Sequence, residues 1–331
     1  MKRLSYKKKP IGSLNSLART LNISISELLE VSENADAFYT PNEPEPKSNG
    51  KMRQTYAVDE PLHSIQDKIL EKVISGVEFP EYLQGSIKDS DSPRDYVRDA
   101  AYHVGREVLL KEDISSFFSS TRTEFVHNTW KYFFSFPEDV ATTLTRLTTY
   151  KGFIPEGAPT SPAIANLVFW KHEPKLESEL RETGYLYSRY VDDITVSFAT
   201  RIRKVELQNV TTKIYGMFNA HGLQPNRDKD ENGLLKKRVA RSKSKPMVVH
   251  GLNVNSGRPT LPKEERYKIR AAVRELELLV QSSTSLDEIK KRFDSVTGRV
   301  NMMKRLHPNE AQKYIEKLDE IAKTLDTSNA L

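Results

Sequence analysis

The sequence predicts an α+β protein in which a small antiparallel sheet carries acidic side chains and is backed by helices. Two β-prone stretches predict its central strands, because both are rich in apolar residues and both bear aspartates: VLLKEDI at residues 108–114 and SRYVDDITVSF at residues 188–198. Segments with an apolar residue at every third or fourth position predict the helices around that sheet.

The composition is typical of a globular chain, and its basic charge suits a polyanionic partner, although many basic proteins bind none. Of 331 residues, 37% are hydrophobic and 29% are charged, and the net charge of +6 favours nucleic acid or another polyanion. The chain has no cysteine, which excludes disulfides and zinc–thiolate sites and fits a reducing cytoplasm. No run approaches the roughly 18 apolar residues of a membrane span, and the basic N-terminus lacks the apolar run of a secretory signal. We therefore expect a cytoplasmic protein without a membrane partner.

The N-terminal part predicts two short helices, a linker and one strand before a longer helix. Residues 12–34 carry the two helices, and Ser24 with Glu27 forms the capping-box pattern of the second. This pair resembles a DNA-binding helix-turn-helix, but no basic recognition helix follows, which favours a simple packing pair. The next segments are a linker at 41–51, a strand at 52–58 (MRQTYAV) and a helix at 63–74 (HSIQDKILEKVI).

The remaining segments predict further helices, one strand and a basic loop. Residues 124–147 are mostly helical with a break at Pro137, and residues 202–221 form another amphipathic helix. The basic block at 236–245 is either a solvated loop or a loop that contacts phosphate. MVVHGLNV at 247–254 predicts a strand, and three amphipathic helices follow as a C-terminal bundle.

Asp192 and Asp193 are adjacent carboxylates inside a β-prone stretch. On a straight strand they would point to opposite faces, whereas at the tip of a hairpin both can turn towards one site. Two uncompensated carboxylates in an apolar element are costly without a cation, and their oxygens suit Mg²⁺. Taken alone, such a pair is more often a turn that merely favours aspartate.

A third carboxylate, Asp113, ends the other predicted strand. Alone it would be a cap or a turn residue. With the Asp192–Asp193 pair it supplies enough ligands for two Mg²⁺ ions, helped by a backbone carbonyl and substrate phosphates. Two such ions clamp the attacking and leaving oxygens of an in-line phosphoryl transfer, so the acidic set indicates this chemistry on nucleic acid.

Four motifs give the acidic set a family context. YVDD at 190–193 matches the YxDD box of reverse transcriptases, and KEDISSFF at 111–118 resembles their preceding motif, an acid on a strand followed by paired aromatics. PEGAPTSPAIANL at 155–167 is similar to the PQGAPTSPxxxNL motif of prokaryotic members. GLQPNRDKD at 222–230 resembles the GLxxNxxKT motif that follows the catalytic hairpin. Their order and spacing agree with that family across residues 51–254.

Further motifs resemble those of retron reverse transcriptases. DAAYH at 99–103 stands where they carry NAxxH, and VVHGLNVN at 248–255 where they carry VTGLxVN. GKMRQTYAVDEPLHSIQDKIL at 50–70 is similar to their first motif, and GRVNMMKRLHP at 298–308 to the GxxxxxxxLxP stretch of their thumb. The chain departs from the pattern at four positions: Asp99 for Asn, His250 for Thr, Glu156 for Gln and Asp230 for Thr.

The resemblance implies roles for the residues at the acidic site. Asp113, Asp192 and Asp193 would hold two Mg²⁺ ions, with the backbone carbonyl of Ile114 as a further ligand. Phe118 would select dNTPs by leaving no room for a 2′-hydroxyl; its alternative is plain core packing.

Other matched residues fall at nucleotide-contacting positions of the family. Lys51 and Arg53 match the basic fingers residues that grip the triphosphate. Glu156 and Gly157 fall where Gln-Gly backs the nucleotide sugar, and Glu156 would either accept a hydrogen bond from the 3′-hydroxyl or point away. Lys229 matches the lysine that protonates the leaving pyrophosphate, or else it is a surface lysine in a turn.

Basic residues of the C-terminal bundle would contact a duplex backbone, which confers affinity without sequence choice. Taken singly, each is more often solvated than in contact. They are Lys263, Arg266, Arg270, Arg299, Lys304 and Arg305.

The implied fold is a right-hand polymerase with fingers, an antiparallel-sheet palm and a C-terminal helical thumb. We expect an N-terminal helical extension at 1–40 and fingers at 41–105 with part of 120–160. The palm, with the catalytic carboxylates, would span 106–258, and the thumb 259–331.

The implied function is RNA-directed DNA synthesis from dNTPs. A cognate structured non-coding RNA would be copied into a short single-stranded DNA, primed from a 2′-hydroxyl to give a branched RNA–DNA. In retron systems this product is paired with a separate effector protein in defence against phage. The alternatives are another prokaryotic reverse transcriptase, of group II intron or abortive-infection type, and a nucleic-acid-binding scaffold with a polymerase fold. Phe118 argues against an RNA-dependent RNA polymerase.

Overall fold

The computed structural model describes residues 3–46, 50, 52–89, 93–227, 239–241, 246–282 and 285–329. Two predicted nucleotide-site residues, Lys51 and Lys229, lie outside this part of the chain, as does the basic block at 236–245 apart from 239–241. The described residues mix helices with a central sheet, which confirms the predicted α+β class.

Helices form where apolar residues recur at helical spacing. α3 and α6 continue into the wider π-helical turns Ile69–Val73 and Thr129–Phe133, and Pro137 separates the second of these from α7, as predicted. Within the described residues the helices are, in chain order, α1 (Leu14–Leu21), α2 (Ile25–Glu33), α3 (Leu62–Lys68), α4 (Tyr96–Tyr102), α5 (Phe117–Ser120), α6 (Thr123–Asn128), α7 (Glu138–Thr148), α8 (Ser161–Leu167), α9 (Glu173–Glu182), α10 (Lys204–Asn219), α11 (Lys263–Val280), α12 (Leu286–Leu306) and α13 (Pro308–Asn329). None of these helices is both long and apolar enough to cross a membrane.

Short strands lie between the helices. In the described part of the chain they are β1 (Ser5–Tyr6), β2 (Tyr39–Pro41), β3 (Glu45–Pro46), β4 (Met52–Arg53), β5 (Tyr56–Val58), β6 (Val77–Glu78), β7 (Leu83–Gln84), β8 (Val108–Asp113), β9 (Leu186–Tyr190), β10 (Asp193–Phe198), β11 (Val239–Arg241), β12 (Val248–Val249) and β13 (Leu252–Asn253). Five of them form the central sheet in the order β11-β8-β10-β9-β7, and the others pair as β1–β6, β2–β5, β3–β4 and β12–β13.

The central sheet has a register that brings its acidic ends together. β8 and β10 pair antiparallel along their whole length, from Val108 opposite Phe198 to Asp113 opposite Asp193. β10 also pairs antiparallel with β9, where Tyr190 lies opposite Asp193. Of the five strands, β7 is parallel to its neighbour β9, and the predicted antiparallel arrangement holds for the rest.

Two strand predictions are wrong in detail. The predicted strand at 52–58 is split into β4 and β5, which pair with the different strands β3 and β2. The predicted strand at 247–254 is a hairpin, because His250 and Gly251 both adopt positive φ angles, +47° and +78°, between β12 and β13. Two successive residues with positive φ form the tight turn that suits a two-residue hairpin loop.

The N-terminal helices α1 and α2 pack as a pair on the rest of the molecule. Leu17, Leu21 and Leu28 are fully buried in the main apolar core, and both helices contact α7. Ser24 caps α2 by accepting a hydrogen bond from the backbone N–H of Glu27 at 3.0 Å. These contacts agree with the packing pair that the sequence favours.

The apolar side chains form two cores. The main core joins the N-terminal helices, the central sheet and helices α6–α10. The second core contains the predicted bundle, α11–α13, together with Met247, Val249 and Leu252 of the β12–β13 hairpin. Ala100 on α4 and Leu109 on β8 extend this core to the central sheet. The hairpin and α4 therefore connect the C-terminal bundle to the strand that ends in Asp113.

We expect Leu276→Ala to weaken the C-terminal bundle. Leu276 on α11 is completely buried, so truncation removes apolar contacts and leaves a cavity, at a cost of about 2–5 kcal/mol. Leu278→Ala in the same helix is the control, because Leu278 is 50% exposed. Thermal unfolding of both variants checks this expectation. Equal melting temperatures for the two variants would contradict the described packing.

Candidate active site

The site is built where β8 ends and the β9–β10 hairpin turns. Asp113 and Asp193 are directly paired across the two strands, so their side chains lie on the same face of the sheet. Asp192 lies in the turn, and its backbone carbonyl accepts a hydrogen bond from the N–H of Ile114 at 3.2 Å. The hairpin that the sequence predicts is confirmed, and it places all three aspartates at one end of the sheet.

The turn of this hairpin is strained at Val191. Its φ of +56° lies in the left-handed region, which is unfavourable for a β-branched residue and costs on the order of 1–3 kcal/mol. Such a conformation persists only where the surrounding structure holds it. The carbonyl of Val191 accepts a hydrogen bond from Nη1 of Arg189 at 2.8 Å, which anchors the turn from beneath.

Arg189 is itself held by a buried network. It is completely buried, and it donates to both carboxylate oxygens of Glu173, at 2.6 Å from Nε and 2.8 Å from Nη2. Nη2 also donates to the backbone carbonyl of Asn166 at 3.0 Å. The hydroxyl of Tyr187 donates to Glu173 at 2.7 Å. Because so many fixed groups surround the guanidinium, it can hold the Val191 carbonyl in one place.

Asn226 holds the third aspartate. Its side-chain Nδ2 donates to Oδ2 of Asp113 at 2.7 Å, and its backbone N–H donates to the Asp113 carbonyl at the same distance. Sequence reasoning missed Asn226, Arg189 and Glu173 as functional residues. A signal existed for Asn226, which is the asparagine of the GLQPNRDKD motif, and for Arg189, which directly precedes the YVDD box.

The three carboxylates create a strongly negative site. Burial, together with the charges of Asp193 and Asp113, raises the pKa of the Asp192 carboxyl to about 7. A divalent cation would neutralise this repulsion, and carboxylate oxygens are the donors that Mg²⁺ prefers. Among the described residues, no three acidic, histidine or cysteine side chains are already arranged as a metal-ligand group. By charge and donor chemistry, however, the three carboxylates fit a hard divalent cation.

A cavity of about 260 Å³ opens beside these carboxylates. The two phenylalanines of the KEDISSFF motif have different surroundings. Phe118 is half-buried on the cavity wall. Phe117 is buried and stacks on Phe169, with 5.7 Å between the ring centres. The cavity is lined by Met52, Arg53, Gln54, Tyr56, Asp113, Ile114, Ser116, Phe117, Phe118, Ser119, Phe153, Glu156, Asp192 and Asn226. The cavity thus brings Asp113 and Asp192 together with the predicted nucleotide-site residues Arg53, Ile114, Phe118 and Glu156, whereas Asp193 and Gly157 do not line it.

Glu156 reaches across the cavity to Arg53. Its Oε1 accepts a hydrogen bond from Nε of Arg53 at 2.5 Å, and Nη2 lies at the same distance. The backbone carbonyl of Glu156 accepts from the N–H of Tyr56 at 2.8 Å. Gly157 has a φ of +108°, and a Cβ there would lie 2.6 Å from the Tyr56 carbonyl, so this close approach requires glycine. The Glu156–Gly157 segment therefore docks β4 and β5 onto the central region.

The predicted backbone-binding residues lie on helices α11 and α12 of the C-terminal bundle. Arg266 forms an ion pair with Glu310 at 2.6 Å, and Arg305 forms one with Asp95 at 2.6 Å. The ammonium of Lys263 lies 5.5 Å from the ring centre of Tyr267. The other three, Arg270, Arg299 and Lys304, are exposed or half-buried. Contact of this set with nucleic acid stays a prediction.

The fold and the site together define a nucleic acid polymerase of the right-hand type. Residues 6–254 match the family model described as reverse transcriptase (RNA-dependent DNA polymerase). The Escherichia coli protein named retron Ec48 reverse transcriptase is 30% identical over 330 residues, covering 97% of this chain and 78% of the relative. Retron Se72 reverse transcriptase from Salmonella heidelberg is 30% identical over 98% of this chain and 84% of its own length.

A solved structure of telomerase from Candida albicans is similar over 86% of this chain and 58% of that chain, with a TM-score of 0.47 and 10% identity. The family match and the retron relatives carry the assignment. The chain therefore belongs to the reverse transcriptase family, among the retron reverse transcriptases, and is an RNA-directed DNA polymerase. Members of this family generally use divalent metal ions.

We expect Arg189→Met to lower both stability and the rate of synthesis. Removal of one partner leaves the Glu173 carboxylate buried without a cation, which costs about 3–5 kcal/mol. The double variant Arg189→Met with Glu173→Gln should regain much of the stability but little of the rate, because the Val191 carbonyl still lacks its donor. Urea denaturation and single-nucleotide incorporation measure the two effects. Arg181→Met is the control, since it removes the half-exposed partner of Glu177, another carboxylate of α9.

We expect Glu156→Gln to lower the KM for dNTPs by about two- to fivefold, the scale of a partly exposed ion pair. The change breaks the ion pair that engages Arg53 and leaves the guanidinium available to a triphosphate. Steady-state incorporation with varied dNTP measures KM and kcat. Glu138→Gln, which breaks an exposed pair with Lys131, is the control. A higher KM would instead indicate that Glu156 contacts the nucleotide directly.

Proposed function

We propose that this RNA-directed DNA polymerase copies a cognate structured non-coding RNA into a short single-stranded DNA. The observation that carries the proposal is the cross-strand pair of Asp113 and Asp193 with Asp192 in the adjoining turn, beside a cavity walled by Phe118 and Arg53. The identity to retron reverse transcriptases over nearly the whole chain supports the choice of an RNA of this kind.

In the proposed mechanism, the dNTP enters the 260 Å³ cavity and meets the acidic end of the sheet. Asp113, Asp192, Asp193 and the carbonyl of Ile114 would hold two Mg²⁺ ions. When bound, these ions would neutralise charge on the phosphates and on the attacking and leaving oxygens. The hydrogen bond from Asn226 orients Asp113, and the anchored Val191 turn orients Asp192.

The cavity walls supply nucleotide recognition in this proposal. Arg53, released from Glu156, grips the triphosphate together with Lys51. Phe118, on the cavity wall, lies under the sugar and excludes a 2′-hydroxyl, and the backbone of Glu156 and Gly157 backs the sugar while the Glu156 side chain faces Arg53. Lys229 protonates the leaving pyrophosphate.

The C-terminal bundle grips the template–product duplex in this proposal through phosphate contacts, which do not depend on sequence. Exposed Arg270 and Lys304 and half-buried Arg299 suit this role directly. The other three basic residues, Lys263, Arg266 and Arg305, would exchange their present partners for phosphates. The cognate RNA is distinguished by its folded shape rather than by these contacts.

We further propose that synthesis starts from a 2′-hydroxyl of the RNA and yields a branched RNA–DNA. The product then acts with a separate effector protein in cytoplasmic anti-phage defence. The named retron relatives support this reading.

The test is to purify the protein from its native host, extract the nucleic acid bound to it, and treat it separately with ribonuclease and deoxyribonuclease. A discrete short DNA joined to RNA through a 2′–5′ branch supports the proposal. RNA alone, or heterogeneous DNA, would move the assignment to another class of prokaryotic reverse transcriptase.

Asp193→Asn is expected to abolish this DNA product, because the change removes the carboxylate that is paired with Asp113 at the end of the sheet. The readouts are the extracted DNA and protection of the host against phage. If the variant makes no DNA and yet protects fully, the protein acts as a scaffold rather than through synthesis.

We expect Phe118→Ala to reduce the discrimination between dNTPs and NTPs by about 10- to 100-fold, the usual worth of a steric barrier in a binding pocket. The measurement is kcat/KM for each nucleotide on the same RNA template. Phe133→Ala is the control, since Phe133 is a half-buried aromatic that packs against Phe134 and Trp170 outside the cavity. Unchanged discrimination in Phe118→Ala would assign Phe118 to core packing.

A further inference from the structure

His250 lies at the tip of the β12–β13 hairpin, between a buried carboxylate and an active-site carboxylate. Its Nε2 lies 2.6 Å from Oδ2 of Asp99 on α4, and its Nδ1 lies 3.7 Å from Oδ2 of Asp193. Because a carboxylate oxygen accepts, Nε2 carries the donated hydrogen. The bond to Asp99 therefore fixes which ring nitrogen faces Asp193.

Asp99 depends on this contact. It is completely buried, and its other oxygen, Oδ1, has no hydrogen-bond partner among the described residues. His103, with Nε2 4.0 Å from that oxygen, is a poor cationic partner, because burial lowers its pKa to about 4. Both nitrogens of His103 are also within hydrogen-bonding distance of the hydroxyls of Ser188 and Ser197. A buried carboxylate without a close partner is costly, so His250 is the residue that makes Asp99 tolerable.

The same two positions are departures from the retron motifs. Asp99 stands where those motifs carry Asn, and His250 stands where they carry Thr. The residues are 151 positions apart in the chain and yet meet at 2.6 Å. The two departures contact each other, so that an acid on α4 is matched by a hydrogen-bond donor on the hairpin.

The His250 imidazole also contacts an aromatic ring. The ring of Tyr190, the first residue of the YVDD box, lies 4.6 Å from the His250 ring between centres. Tyr190 in turn packs closely on Gly85, where a Cβ would lie 2.9 Å from the tyrosine ring. His250 therefore has little freedom to move away from Asp193.

We propose that Asp99 and His250 act as one positioning unit that holds the β12–β13 hairpin tip against Asp193 and thereby sets the rate of nucleotide incorporation. Asp99, His250 and Asp193 do not line the nucleotide cavity, so the unit governs kcat and not the KM for dNTPs. The proposal rests on the polymerase function of the carboxylate site and does not depend on which RNA the enzyme copies.

The experiment compares three variants of the full chain: Asp99→Asn, His250→Thr, and the double variant. DNA-primed synthesis on a generic RNA template gives kcat and KM per folded enzyme, and thermal unfolding gives stability. We expect His250→Thr to lose about 10-fold or more in kcat, because Asp99 loses its donor and Asp193 its neighbour. Asp99→Asn should lose about threefold, since the Asn carbonyl still accepts from Nε2. KM for dNTPs should stay unchanged in both.

The decisive result is the double variant. Adding Asp99→Asn to His250→Thr should raise kcat above that of His250→Thr alone, because a buried neutral amide without its donor costs less than a buried carboxylate without one. Glu177→Gln is the matched control, since it neutralises another buried carboxylate, whose partner Arg181 is half exposed and does not line the nucleotide cavity. It should change stability without changing kcat.

Two results would overturn the proposal. In the first, the variants lower the melting temperature while kcat per folded enzyme stays at the wild-type value, which would make the pair purely structural. In the second, the double variant is no faster than His250→Thr, which would show that the residues act independently. This experiment uses a generic template. A failure to find branched RNA–DNA in cells would therefore count against the proposed function and not against the role of Asp99 and His250.

Discussion

The buried pair of Arg189 and Glu173 is the interaction on which the geometry of the active site depends. Replacing a buried ion pair by apolar groups often leaves stability unchanged. The contribution of this pair is therefore to orient the Arg189 guanidinium rather than to add net stability. Its bidentate geometry leaves one guanidinium nitrogen aimed at the Val191 carbonyl. That bond holds the strained turn in which Asp192 lies and after which Asp193 begins a strand. The energetic cost of the turn is offset by packing and hydrogen bonds around it.

Three polar contacts join separate parts of the chain around the site. The Arg53–Glu156 ion pair joins the β4 strand to the segment before α8. The Asp99–His250 hydrogen bond joins α4 to the β12–β13 hairpin, and the Arg305–Asp95 ion pair joins α12 to the start of α4. α4 therefore contacts both the C-terminal bundle and the hairpin beside Asp193.

Local patterns predicted much of the fold. The β8 and β10 strands, the YVDD hairpin and the three C-terminal helices follow from residue type and periodicity within short windows. The β12–β13 hairpin was missed because its turn places His250, rather than a typical turn residue, at positive φ. Arg189 was missed because a charged residue in a strand usually faces solvent. Here the face of β9 that carries Arg189 is covered by Asn166 and Glu173.

The sequence by itself determined the class of protein and the identity of the three aspartates, because its motifs resemble those of reverse transcriptases in order and spacing and the aspartates lie within those motifs. The tertiary structure alone decided which partner each charged residue takes. Arg53 is engaged by Glu156, 103 positions away, and Asp99 by His250, 151 positions away. Periodicity in the sequence predicts only which residues share a face of one helix or one strand. Pairings over such separations depend on the path of the backbone through the sheet and the helices that cover it.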